Sequence, residues 1–181
     1  SEPPKAWEVH PWGSDWYKLQ EYEIKNGEPE LWRHLLRRRY GGDLQGVLDK
    51  IDYIDSLGVT AIYFNPLNDA PSLHKYDARN WRHIDRNFGP DPKGDVALMD
   101  QEDPTDPSTW QWTAADQLFL DLIDSLHAHG IKVILDYSWN HTGTPFFAWQ
   151  DLLEQQQAST YKDWYWIESW DDPSTESNEF D

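Results

Sequence analysis

The stretch 113–135, TAADQLFLDLIDSLHAHGIKVIL, changes its hydrophobic period part-way, and that change limits the folds open to the chain. Leu118, Leu122, Ile123 and Leu126 recur at the three-to-four-residue spacing of an amphipathic helix. Thr113 and Asp116 make a capping-box pair at its start, and Gly130 stands where such a helix ends. The residues that follow, 131–138, begin as a continuous apolar run, the pattern of a strand covered on both faces. An earlier segment has the same grammar. Leu44, Val47, Leu48, Ile51, Ile54 and Leu57 share a helical face, with Asp43 as N-cap and Gly58 as the residue beyond the last turn. VTAIYFNPL then reads as a short β-rich run ended by Pro66.

With a further strand expected at 15–22, the order is strand, helix, strand, helix, strand, which means βαβ units, a parallel sheet and an α/β fold class. In α/β barrels and open α/β sheets, ligands bind beyond the carboxyl ends of the strands. Here those ends run into NPLNDAPSLHKYDARNW, 65–81, and DYSWNHTG, 136–143. Residues 68–112 are rich in Asp, Asn, Pro and Trp without clear periodicity. They read as one long loop, a kind usually reserved for function.

Charge narrows the partners. Thirty-three acidic against fifteen basic residues leave a net charge of −18, a field that repels nucleic acid and anionic membrane surfaces but not a neutral ligand or a cation. No cysteine is present, so the sequence offers no disulfide, thiolate metal site or thiol nucleophile, and this fixes no compartment. An extracytoplasmic location, secreted or periplasmic, is the expectation taken. No apolar run reaches membrane-spanning length. Twelve tryptophans are the compositional outlier; those in polar segments (Trp110, Trp112, Trp139, Trp149, Trp164, Trp166, Trp170) serve either as packing or as flat platforms for sugar rings.

Single motifs leave the chemistry open. HKYD, 74–77, supplies a stacking face in Tyr76 and an acceptor in Asp77, or is only a solvated loop. In DYSWNH, a persistent strand pleat would put Asp136, Ser138 and Asn140 on one face and Tyr137, Trp139 and His141 on the other. Asp, Asn and His together bind a hard cation, favour a neutral imidazole or cap loop amides, and two or three side chains fall short of the roughly 6–8 oxygens calcium takes. His127 and His129 suit a helix C-terminus, and Arg37, Arg38 and Arg39 suit local charge pairing. The segment after GG, 41–42, has no P-loop lysine.

Taken together, GGDLQG, LGVTAIYFNP, HKYD, IDRNFG and the Asp-x-x-x-Asn-His of 136–141 stand in an order and spacing that resemble the α-amylase family of glycoside hydrolases, most closely its neopullulanase and cyclomaltodextrinase-like members. The match runs from about residue 41 to about 147. The resemblance implies a partial (β/α)8 TIM barrel, its first three strands and two helices within residues 1–140, with the start of a domain inserted after the third strand at 141–181. It implies that Tyr76 stacks on a sugar, that His141 donates a hydrogen bond to it, that Asp77 pairs with an arginine from later in the chain, that His74 borders the same subsite, that Asp136 is structural, and that Asn140 is a calcium ligand in many members. Leu73 departs from the Asn or Asp usual before HKYD, and Tyr137 and Ser138 replace a smaller or aliphatic pair.

The retaining mechanism of this family needs two carboxylates about 5–5.5 Å apart. By the resemblance they come from later strands, so no residue of this chain is assigned as catalytic. The expected partners are an α-glucan oligosaccharide or polysaccharide and the C-terminal part of the barrel. Two other readings stay open at this level: a glucan-binding module without catalysis, and a barrel enzyme using a metal at Asp136 and His141.

Overall fold

The computed structural model describes residues 10–11, 13–25, 27, 29–35, 38–172, 174–175 and 180. In chain order its elements are α1 Glu21–Lys25, α2 Leu31–Leu35, α3 Leu44–Leu48, α4 Ile51–Ser56, β1 Ala61–Phe64, α5 Pro92–Met99, α6 Ala114–Ala128, β2 Lys132–Leu135 and α7 Phe147–Gln155, with short 3-10 turns between.

The helix starts were legible and their chemistry holds. Asp43 caps α3 by accepting from the Gly46 amide, and Gly58 closes α4 at φ +72°. The expected single helix over this region runs as two segments, because the Lys50 amide bonds back three residues to Val47 rather than four. At α6, Thr113 and Asp116 form the capping box, and Asp95 of α5 accepts from the Ala114 and Ala115 amides at 2.7 and 3.1 Å. The first-turn donors of the longest helix are therefore satisfied from two directions.

β1 and β2 lie side by side and parallel, with Ile62 opposite Val133 and Phe64 opposite Leu135. Ile62, Phe64 and Val133 pack against a core of Leu44, Ile51, Leu67, Ile84, Phe119, Leu122, Leu126 and Ile131. This is the expected βαβ arrangement, and it corrects two expectations. Only one face of the sheet is covered: Tyr63 and Ile134, on the other face, are 59% and 48% exposed. The second strand stops at Leu135, so the pleat does not carry on through Asn140.

The strand expected at 15–22 is not there. Asp15 turns the chain by accepting from the Tyr17 amide on its side chain and from the Lys18 amide on its carbonyl, and α1 begins at Glu21. The Glu23 carboxylate closes that turn by accepting from the Gln20 amide, and it meets the Arg38 guanidinium at 2.6 and 2.8 Å with both side chains buried. A buried bidentate ion pair outweighs a loose alternation of apolar residues. The described sheet thus has two strands rather than three.

The span 68–112 is no structureless loop. It contains α5, announced by Asp91 as N-cap and Pro92 in the first turn. It is held to α6 by His83, which bridges Asp116 at 2.7 Å and Glu102 at 2.8 Å. Burial pulls the His83 imidazole down in pKa, but hydrogen bonds to the two carboxylates outweigh it and raise it above the ordinary histidine value.

A histidine raised on folding adds stability that is complete below its unfolded pKa and is lost as pH climbs through its folded pKa. The pH dependence of thermal unfolding checks this: His83→Gln lowers the midpoint more at pH 5.5 than at pH 9. Gly89 gives a second test, since an added Cβ would lie 2.6 Å from the Ala115 Cα at the start of α6. Gly89→Ala is expected to destabilise by about 1–3 kcal/mol in denaturant titration.

Candidate functional site

The loop after β1 carries HKYD on a buried ionic frame. Lys75 sits at φ +65°, a conformation few residues other than glycine adopt, and its side chain turns inward. Its Nζ donates to Asp85 Oδ2 at 2.5 Å, to the Ser72 carbonyl at 3.1 Å and to the Ala70 carbonyl at 3.3 Å. Burial pushes the Asp85 carboxyl up, but Lys75, Arg39 and the hydrogen bond from Asn87 hold it below the usual carboxylate range. Beside this pair, the fully buried Asp69 accepts from Arg79 and, through two nitrogens, from Arg86. With the lysine anchored inward, its neighbours His74 and Tyr76 face out.

Tyr76 is 39% exposed and donates from its hydroxyl to Asp136 Oδ2 at 2.7 Å. That bond joins the loop after β1 to the residue that follows β2. Asp136 is itself placed by its amide, which donates to the Phe64 carbonyl as the last rung of the ladder. By accepting from the Tyr76 hydroxyl, Asp136 raises the pKa of that phenol, and it raises that of Tyr63 as well. The His74 ring stacks on Tyr76 with centroids 5.8 Å apart. Asp77 accepts from the Ser72 hydroxyl and lies 4.0 Å from His74 Nδ1. Among the described residues these, not an arginine, are its partners.

A second clip sits two residues beyond Tyr76. The Gly143 amide donates to the Ala78 carbonyl at 2.9 Å, and a Cβ at Gly143 would fall 2.2 Å from the Asp77 carbonyl oxygen. Only glycine lets the two loops approach this closely. Between the clips run Asn140 and His141, both exposed; His141 Nδ1 is 3.4 Å from the Ser138 hydroxyl. Both border a cavity of about 580 Å³ whose other walls include Trp81, Trp139, Trp149, Trp164 and Trp166.

The structure thus brings His74, Tyr76, Asp77 and Asp136 into one hydrogen-bonded patch and sets Asn140 and His141 beside it. Among the described residues no three His, Asp or Glu side chains converge as metal ligands. Asn140 contributes a single amide oxygen, so the donor set present does not fit calcium by itself. Sequence reasoning passed over Lys75, Asp85 and Gly143. Lys75 and Asp85 stand in HKYD and IDRNFG, among other charged and polar residues, so nothing local marked them as a buried pair.

The chain spans about a quarter or less of the length of the curated relatives first matched. It is 37% identical over 163 residues to "Neopullulanase 2" of Thermoactinomyces vulgaris, an alignment covering 84% of this chain and 24% of that protein. It is 34% identical over 173 residues to "Intracellular maltogenic amylase" of Bacillus subtilis (strain 168), covering 90% and 25%. Among solved structures, "Cyclomaltodextrinase" superposes with a TM-score of 0.57 at 35% identity, over 72% of this chain and 18% of that one. Cyclic alpha-maltosyl-(1→6)-maltose hydrolase from Arthrobacter globiformis, in complex with maltose, superposes with a TM-score of 0.64 at 26% identity, over 97% and 30%. The model of the alpha amylase catalytic domain matches residues 13–101 and 112–180. That match takes in both loops that the Tyr76–Asp136 bond joins, and the chain belongs to the alpha-amylase catalytic-domain family.

Proposed function

We propose that this chain forms one wall of the substrate cleft of a retaining glycoside hydrolase that cleaves α-glucosidic bonds in starch-like or maltooligosaccharide substrates. The observation that carries this is the 2.7 Å bond from Tyr76 to Asp136, which fixes an outward-facing aromatic ring at the carboxyl ends of both strands. A flat ring there suits the C–H face of a glucose unit, while His141 is free to donate to a sugar hydroxyl. Asp77 and His74 shape the same edge, with Ser72 holding Asp77 in place. The nucleophile and the acid/base are supplied outside this chain. The exposed face of the sheet, with Tyr63 and Ile134, is the inner face of a barrel that further strands close.

These assignments give separate expectations in the full-length protein. Tyr76→Ala is expected to lower kcat/KM for release of reducing ends from α-1,4-glucan by roughly 10²-fold, because the sugar loses its platform and its register. Tyr76→Phe keeps the ring and loses only the bond to Asp136, so its loss should be much smaller. Unchanged turnover in Tyr76→Ala would contradict the stacking role. A non-catalytic glucan-binding role, favoured by the aromatic cavity, would instead show saturable maltooligosaccharide binding with no reducing ends released.

A further inference from the structure

His83 is 4% exposed, and both of its ring nitrogens end on carboxylates: Nδ1 is 2.7 Å from Asp116 Oδ2, and Nε2 is 2.8 Å from Glu102 Oε2. A neutral imidazole has one N–H, so it would leave a lone pair facing one of these oxygens. Only the doubly protonated ring donates to both. The two carboxylates are surrounded by donors elsewhere. Asp116 also accepts from the Ile84 and Thr113 amides, and Glu102 from the Gln111 amide and from Arg82 at 3.0 Å. Asp116, Glu102 and Arg82 are the charged groups that face this cluster; Asp95 on α5 and Tyr137 after β2 feel Asp116 rather than the ring.

The two partners of His83 differ in origin. Asp116 belongs to the capping box of α6, whereas Glu102 opens the stretch 102–111, which lies outside both segments that match the family's catalytic domain. That stretch closes on itself and on Arg82. Trp110 Nε1 donates to the Asp103 carbonyl, and Arg82 Cζ lies 5.0 Å from the centre of the Trp110 ring. Half of the clasp on His83 is therefore supplied from outside the family pattern.

From His83 the backbone leads to the HKYD loop. The His83 carbonyl accepts from the Asp69 amide at 3.0 Å, and Asn68 pairs with Ile84 across an antiparallel bridge. Asn68 Nδ2 donates to the Lys75 carbonyl at 3.1 Å, and Asp85 holds Lys75 Nζ. Lys75 stands between His74 and Tyr76. We propose that His83 is a positioning residue for this loop: while its imidazole carries both protons it fixes residues 82–86 and with them the aim of Tyr76, and losing one proton at alkaline pH frees them. As regulation of the site proposed above, this rests on that reading. Burial opposes the charge on His83, but the bonds to Asp116 and Glu102 outweigh it, so release falls above the ordinary histidine value.

The test uses the full-length protein and two readouts across pH 6–10: hydrogen–deuterium exchange of residues 68–80, corrected for the intrinsic rate, and kcat/KM on maltoheptaose. Loop protection and kcat/KM are expected to fall through one alkaline transition. Glu102→Gln removes one carboxylate and should move that transition down by about one pH unit, the scale of one nearby charge. Arg82→Met leaves His83 as the charged partner of Glu102 and should move it up. A merely loosened fold would shift both variants downward, and Arg82→Met decides alone where Glu102→Gln does not fold. Shifts in the same direction, or a transition unmoved in either variant, overturn the proposal. If the wild type cleaves no α-glucan while its loop transition shifts as described, the reading above fails and the role of His83 stands. Cleavage with an unmoved transition does the reverse.

Discussion

A buried ammonium closed on a buried carboxylate, Lys75 on Asp85, positions the candidate site. Taking both charges out of water is costly, and the pair holds only because Ser72, Ala70 and Asn87 supply the remaining hydrogen bonds. Once formed it is hard to undo, since removing one partner of such a pair typically costs about 3–5 kcal/mol. The lysine lies between two outward-facing rings, so its inward anchor and its positive φ dictate where His74 and Tyr76 point. The Asp69–Arg86 bridge next to it and the His83 bridge behind it turn an Asp-rich segment into a rigid frame. Acidity that reads as solubility in the composition is thus in part structural.

From that frame the site follows by two cross-links. The Tyr76–Asp136 bond joins the strand ends on the polar side, and the Gly143–Ala78 bond draws the next loop in behind it. The aromatic cavity is a consequence of the second clip, because Trp139 and Trp149 lie on either side of Gly143 in the chain. The outward-facing rings and the polar groups beside them therefore come from loops that strand pairing alone would leave independent.

What was legible in the sequence was what local rules decide. Thr113 with Asp116, Asp43 and Gly58 announced helix ends because capping depends on residues only a few positions apart. The alternation of helix and apolar run gave parallel pairing of β1 and β2. Where distant partners intervene, local pattern misled: Arg38, fifteen residues on, makes Glu23 part of a helix turn instead of a strand. The exposure of Tyr63 and Ile134 was equally hidden, because an apolar run looks the same whichever layer covers it. At the site, Tyr76 and His141 were visible as residue types, whereas Lys75 and Gly143, which place them, act through contacts no spacing reveals.

As proposed, these loops line the cleft of an enzyme that acts on α-glucan with retention. The most direct measurement is the anomeric configuration of the first product released from a maltooligosaccharide by the full-length protein, followed by proton NMR at early times. The α-anomer is the expected product. Release of the β-anomer, or no cleavage of any α-glucan, would contradict it.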